Sequence, residues 1–198
     1  MRRFAILALL IAGAWAAYRD WRLRPVTQAP GVLAAAEPRQ AAIDGATPFP
    51  FRGYALQPLA RYDVTARLLS RQAYRAHRES DVSPLDFALG WGPMSDTSVL
   101  DHLEVEQSSR YFTVHFKDGS LSWDALAPYA ANTHLIPADA QVRDTLDRMR
   151  PGQVIELDGV LVEAAAADGW RWRSSLTRND TGAGACELMW VERARVIR

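Results

Sequence analysis

A short polar segment near the end of the chain holds several residue types that could do chemistry. Residues 174–187 (SSLTRNDTGAGACE) contain Arg178, Asp180 and Cys186 around two glycines. Glycine adopts backbone conformations closed to other residues, so such a turn could present donors to an anion or a polar ligand. The alternative is a long hairpin loop whose polar side chains bond to their own backbone, which is the commoner outcome.

One catalytic arrangement can be assembled from this segment and a second motif, ANTHLIPA at residues 131–138. A cysteine nucleophile needs a base within hydrogen-bond reach, and His134 is the candidate base for Cys186. Asn132 or Asp180 could orient the imidazole. The alternative is a buried, inert thiol, because Cys186 directly precedes an apolar stretch. A hydrolase using Cys186 and His134 is therefore the runner-up hypothesis.

A binding site is the leading alternative to catalysis. Asp86 and Trp91 lie in DFALGWG, which forms either core with a tight turn or a pocket wall with Trp91 as a stacking surface. On a regular strand, Arg171 and Arg173 share one face, with Trp170 and Trp172 opposite. The predicted binding residues are Asp86, Trp91, Arg110, His134, Arg178 and Asp180.

The arginines allow two interpretations. Arg110, Arg171, Arg173 and Arg178 together could form a surface for an anion or a saccharide, whereas an arginine-rich strand face is more often simply solvated.

Metal-binding signals are weak in this sequence. His134 with Asp86, Asp180 or Glu187 would offer ligand types that suit divalent ions, but the spacing is not diagnostic. No zinc-type spacing of Cys and His is present. We therefore predict no metal site and no cofactor.

Composition and charge narrow the class of protein. A length of 198 residues favours one domain. The 23 basic and 23 acidic residues give a formal net charge of zero, which argues against a nucleic-acid partner. The single cysteine excludes a disulfide within the chain.

The N-terminal segment predicts contact with a membrane. Residues 4–18, from Phe4 to Tyr18, contain no charge and follow a basic start. As a helix they would span roughly 22 Å, which is short for a bilayer core. Two interpretations are a signal peptide cleaved after Ala16 and an uncleaved anchor with Trp15, Tyr18 and Trp21 at the interface. The bulky Trp15 and the arginines that follow favour the anchor. Basic residues flank both sides of the segment, so the positive-inside rule favours a periplasmic globular part only weakly.

The remaining pattern predicts three regions: an anchor or signal segment at 1–24, a proline-rich linker at 25–59 and a β-rich domain at 60–198. Predicted strands cover residues 62–73, 103–107, 110–116, 153–163 (with a bend or bulge at Gly159), 170–176 and 187–197, and a helix covers 138–150. A short helical or buried turn is expected around residues 85–89. This order predicts an α+β, mainly β fold: a small, partly open barrel of the OB kind with one helix, preceded by a transmembrane helix. An α+β sandwich is the alternative.

Three blocks of sequence carry a resemblance to known proteins. They are residues 84–96 (PLDFALGWGPMSD), 131–138 (ANTHLIPA) and 169–192 (GWRWRSSLTRNDTGAGACELMWVE). With the apolar N-terminus, they resemble a family of uncharacterised bacterial membrane-anchored proteins. The resemblance implies a membrane location and no particular activity. The leading hypothesis is a single-pass inner-membrane protein whose periplasmic domain binds a ligand or acts as a scaffold for envelope proteins.

Overall fold

The computed structural model describes residues 10, 11, 13, 14, 17, 18, 21–177 and 184–198. In this part the protein is mainly β, with few helices. The strands are β1 (Arg39–Ala42), β2 (Phe49–Phe51), β3 (Tyr54–Ala73), β4 (Leu85–Gly90), β5 (Leu103–Ser108), β6 (Tyr111–Phe116), β7 (Ala130–Pro137), β8 (Val154–Ala165), β9 (Arg171–Arg173) and β10 (Glu187–Val196). The α-helices are Glu79–Val82, Thr97–Leu100, Trp123–Leu126 and Ala140–Arg148, with 3-10 turns at Gly92–Ser95 and Ala127–Tyr129.

The largest sheet is partly closed into a ring. The long strand β3 pairs antiparallel with β4 and also with β8. On the far side, β4 pairs with β7, β7 runs parallel to β10, and β10 pairs with β8. Two shifts in the pairing register of β3, at Pro58/Ala60 and Leu68/Ser70, mark where its ladders become irregular, and such bulges bend a strand. This bending lets one strand close the ring from both edges.

Gly159 lies at a close approach of two backbones in this ring. A Cβ atom at this position would lie 2.0 Å from the carbonyl oxygen of Trp190 on β10. The sequence predicts a bend or bulge at Gly159 itself. In the structure, the shift in pairing register lies on the partner strand β10, between Val191 and Arg193. Only glycine therefore allows β8 and β10 to pair as closely as they do.

The core fills the inside of the ring. Tyr62, Phe87, Leu135 and Met189 are completely buried members of one apolar cluster. The helix Ala140–Arg148 packs Val142 and Leu146 into the same cluster, and Asp139 caps it by accepting a hydrogen bond from the Val142 amide at 2.8 Å. The predicted helix is confirmed, two residues shorter at each end.

The expectation of a helical turn around residues 85–89 is wrong. These residues belong to β4, and all six residues of that strand are buried. A strand that is covered on both faces has no alternation of apolar and polar residues, so its period cannot be recognised in the sequence.

The segment predicted as a linker lies against the barrel. Val26 donates its amide to the carbonyl of Pro151 at 2.7 Å, and the Gln28 side chain donates to the Gly152 carbonyl at 3.1 Å. The amide of Ala34 donates to the Ser95 hydroxyl at 3.0 Å. Residues 25–59 also supply β1, β2 and the first six residues of β3. The prolines thus stand in extended chain that follows the barrel surface.

Within the described residues, no helix is both long and apolar enough to cross a membrane. Most of residues 4–18 lie outside the described part of the chain, and the described ones (10, 11, 13, 14, 17 and 18) are helical.

Candidate functional site

The hairpin of β5 and β6 reaches back over one face of the barrel. Its two-residue turn consists of Ser109 and Arg110, whose φ angles are 50° and 71°. Such turns need positive φ at both central residues and are usually made by Asn-Gly or similar pairs. Side chains other than Gly or Asn adopt this region at a cost of about 1 kcal/mol each. The contacts of Arg110 offset that cost.

Arg110 inserts between the hairpin and the barrel. Its Nη1 donates to Asp86 Oδ1 at 2.8 Å and to the carbonyl of Ser83 at 2.9 Å. The guanidinium carbon lies 3.9 Å from the centre of the Tyr74 ring and 5.6 Å from that of Trp172. Asp86 is fully buried, so this ion pair is largely shielded from water.

His134 lies on the other side of the same carboxylate. Asp86 and His134 are register partners on β4 and β7, and Nδ1 of the imidazole is 3.0 Å from Asp86 Oδ2. This pair does not meet the geometric criteria of a hydrogen bond. The ring is only 4% exposed, and its centre is 4.7 Å from that of Trp172. Asp86 is thus held between a guanidinium and an imidazole.

Tyr74 completes this buried group. Its hydroxyl accepts a hydrogen bond from the Arg110 amide at 3.0 Å. Burial raises the pKa of the Tyr74 hydroxyl above its ordinary value, and the charge of Asp86 raises it further, against the opposing effect of the Arg110 amide. Tyr74 therefore acts as a neutral acceptor that fixes the hairpin turn.

Asn132 fastens the hairpin to β7. Its Oδ1 accepts from Gln107 Nε2 at 2.7 Å, and its Nδ2 donates to the Arg110 carbonyl at 2.9 Å. The same amide nitrogen is 3.4 Å from the sulfur of Cys186. The amide of Asn132 is therefore engaged by protein groups and positions the hairpin and the thiol.

A cleft of about 600 Å³ opens beside this fastening. Its walls are the hairpin strand β6, the helical turns at 123–129 and the starts of β7 and β10. Four aromatic residues line it, namely Trp91, Tyr111, Phe112 and Trp123. Phe112 and Trp123 meet edge to face with ring centres 5.8 Å apart. Aromatic residues therefore line the cleft from the hairpin strand and from the helical turns.

The polar groups of the cleft are acidic or neutral. Asp124 and Glu187 contribute carboxylates, and Thr113, Thr177, Asn132 and Cys186 contribute neutral groups. Among the described residues that line it, none is lysine, arginine or histidine. The described lining therefore combines aromatic rings with carboxylates and neutral polar groups.

The structure brings five of the predicted site residues to one region. Asp86, Arg110 and His134 form the buried group, and Asn132 joins it to Cys186 at the cleft. Trp91 is 1% exposed and belongs to the barrel core, so only an edge of it reaches the cleft. Arg178 and Asp180 lie outside the described residues.

The arginines of β9 are engaged by an acidic side chain. Arg171 and Arg173 share one face, as the alternation predicted, and both donate to Glu163 on β8. The hydrogen bond from Arg173, together with that from Arg171, holds the pKa of the Glu163 carboxyl below its usual range. Trp172 points the other way, onto His134. One of the two positive charges on this face is therefore compensated by Glu163.

No protein-family model, curated protein or solved structure matches this chain. Function is therefore argued from the geometry of the site.

Sequence reasoning missed several members of the site. Tyr74, Gln107, Phe112 and Trp123 carry no local motif, and only the folded topology places them together. No group of three or more His, Cys, Asp or Glu side chains within the described ranges is arranged to hold a metal ion.

Proposed function

We propose that this chain is a membrane-tethered, periplasmic binding domain whose cleft takes an organic cation, and that it is not an enzyme. The observation that carries the proposal is the lining of the cleft, in which Tyr111, Phe112 and Trp123 lie beside the exposed carboxylate of Asp124. A cation is attracted to the face of an aromatic ring, and aromatic cages recognise ammonium groups in this way.

The strand pairing supports an OB-like barrel as the framework. Five strands pair in the order β3-β4-β7-β10-β8 and back to β3, with the helix Ala140–Arg148 between β7 and β8. Barrels of this kind bind ligands on the face of their second and third strands and on the adjoining loops. In this chain those strands are β4 and β7, and Asn132 of β7 lines the cleft.

The N-terminal side chains support lipid as a partner. Leu10, Ile11, Tyr18 and Trp21 are each more than half exposed to solvent. Clustered exposed apolar side chains mark a surface that another phase or molecule covers. We propose that residues 4–18 contact the lipid of the inner membrane and that the barrel lies on its periplasmic side. We propose envelope proteins as further partners. The zero net charge of the chain argues against nucleic acid as a partner.

Three probes that differ only in charge test the choice of ligand. The full chain in nanodiscs would be titrated with benzylammonium, benzyl alcohol and benzoate, with amide chemical shifts of β6 and β7 as the readout. We expect benzylammonium to bind at least about fivefold more tightly than benzyl alcohol, because a cation over an aromatic face gains about 1 kcal/mol. Benzoate should bind most weakly. Binding of benzoate as tight as that of benzylammonium would contradict the cationic ligand.

The runner-up proposal is a hydrolase using Cys186 and His134. It is supported by the Asp86 carboxylate 3.0 Å from His134 Nδ1, where an orienting acid would stand, and by Cys186 at the edge of the cleft. Substitution Cys186→Ala separates the two proposals. If the folded variant keeps the phenotype of the wild type in cells, the hydrolase proposal is excluded. If the variant loses that phenotype but binds benzylammonium unchanged, the hydrolase proposal is favoured.

A further inference from the structure

The chain joins the barrel immediately after its N-terminal helical residues. Trp21 and Arg22 are helical, and Val26 already donates its amide to the Pro151 carbonyl at 2.7 Å. Four residues of fully extended chain reach at most about 14 Å. A membrane that holds the N-terminal residues therefore holds the barrel at its surface, because the proline-rich stretch is bound along the barrel and adds no reach.

An arginine-rich groove lies at this junction. It has a volume of about 800 Å³ and is lined by Tyr18 and residues 22–25, by the end of β3 and by the helix Ala140–Arg148. Six arginines and two aspartates contribute to it: Arg22, Arg24, Arg71, Arg75, Arg143, Arg148, Asp144 and Asp147. In a chain of zero net charge, this is a strong local excess of positive charge. We call these residues the arginine surface.

Among the described residues of the arginine surface, six arginines stand against two aspartates. Arg143 donates to Asp147 at 2.8 Å, and Arg71 lies 3.8 Å from the same carboxylate. Arg22, Arg24, Arg75 and Arg148 are exposed and form no ion pair with a described residue. Tyr18 also lines the groove, and Trp21 is exposed beside it. Tyrosine and tryptophan are the residues enriched at membrane interfaces.

We propose that the arginine surface docks on the anionic phospholipid headgroups of the membrane that holds the N-terminal residues. This proposal rests on the membrane tether proposed above. Arginine binds phosphate with a planar pair of donors, and basic residues beside a membrane are attracted to its negative surface. Docking fixes the orientation of the barrel. The face that carries the cleft therefore stays at a constant angle to the bilayer.

Hydrogen exchange of the full chain in nanodiscs tests the docking. One sample contains only phosphatidylcholine, and the other contains three parts in ten of phosphatidylglycerol. In the anionic nanodiscs, we expect amides of residues 71–76 and 143–150 to exchange several times more slowly, with no change at residues 111–116. Raising the salt to about 0.5 M should remove the difference, because it shortens the distance over which charges interact to a few ångströms.

A double variant and a matched control identify the residues responsible. Arg75→Gln with Arg148→Gln should weaken docking by about fivefold per arginine and abolish the protection. The control removes the same charge elsewhere, by Arg39→Gln and Arg61→Gln on β1 and β3, and should keep the protection.

Equal exchange in the two lipids, or equal loss in the two double variants, would overturn the docking. A chain that is washed from membranes by alkaline carbonate would instead overturn the tether itself. The two failures are therefore distinguished.

Discussion

Replacing Asp86 with alanine is expected to lower the free energy of unfolding by about 3 kcal/mol. The carboxylate is completely buried and binds Arg110 at 2.8 Å, with His134 at 3.0 Å on its other side. Without it, the Arg110 guanidinium remains largely shielded from water but has lost its charged partner. The hairpin turn, which holds two residues at positive φ, then loses the contact that offsets its strain.

Urea unfolding of Asp86→Ala and Asp168→Ala provides the comparison. Asp168 also binds an arginine through both oxygens, at 2.7 and 2.9 Å from Arg78, but it is exposed. Exposed ion pairs contribute little in water, so its loss should be much smaller. A loss in Asp86→Ala no larger than that in Asp168→Ala would contradict the larger contribution expected of the buried ion pair.

Substitution Gly152→Ala is expected to release the N-terminal segment from the barrel. Gly152 has a φ of 88°, and a Cβ there would lie 1.9 Å from the carbonyl oxygen of Val26. The clash is with backbone, so residues 26–28 must move and lose their bonds to Pro151 and Gly152. Together with the unfavourable φ, we expect a loss of at least about 3 kcal/mol.

Gly169→Ala is the matched control for this change. Gly169 has nearly the same φ, 90°, but no atom lies within 4 Å of the Cβ position. It should lose only about 1–2 kcal/mol from the backbone conformation. Limited proteolysis should cut residues 24–34 faster in Gly152→Ala and at the wild-type rate in Gly169→Ala. Unchanged proteolysis in both variants would contradict the attachment of this segment.

Elements with a single buried face could be predicted from the sequence. The alternation of β6 and the spacing of Val142 and Leu146 in the helix both reflect one apolar face against one polar face. Such periods are local, and the structure confirms both elements. In contrast, β4 is buried throughout and β3 carries Pro58 within its length, so neither shows the expected pattern in full.

Residue types identified part of the site, but its assembly is a property of the topology. The sequence indicates His134 as a base or metal ligand, Asp86 as part of a pocket wall and Arg110 as part of an anion surface. Their meeting depends on the register of β4 with β7 and on a hairpin whose Ser-Arg turn lacks the usual glycine or asparagine. The cleft depends on the packing of Trp123 and Phe112 from separate elements, for which the sequence carries no local signal.

The cleft itself can be closed by one side chain. Ala127 lines the cleft, whereas Ala125 lies two residues earlier, is exposed and does not line it. Substitution Ala127→Trp places an indole in the space proposed for the ligand, and Ala125→Trp adds the same side chain to solvent.

The most direct measurement of the proposed function is the affinity of benzylammonium for the full chain and for these two variants. Amide spectra of the same samples report whether each variant is folded. We expect Ala127→Trp to weaken binding by at least about tenfold, a loss of about 1.4 kcal/mol, and Ala125→Trp to bind as the wild type does. A folded Ala127→Trp variant that binds benzylammonium as tightly as the wild type would contradict the cleft as the ligand site.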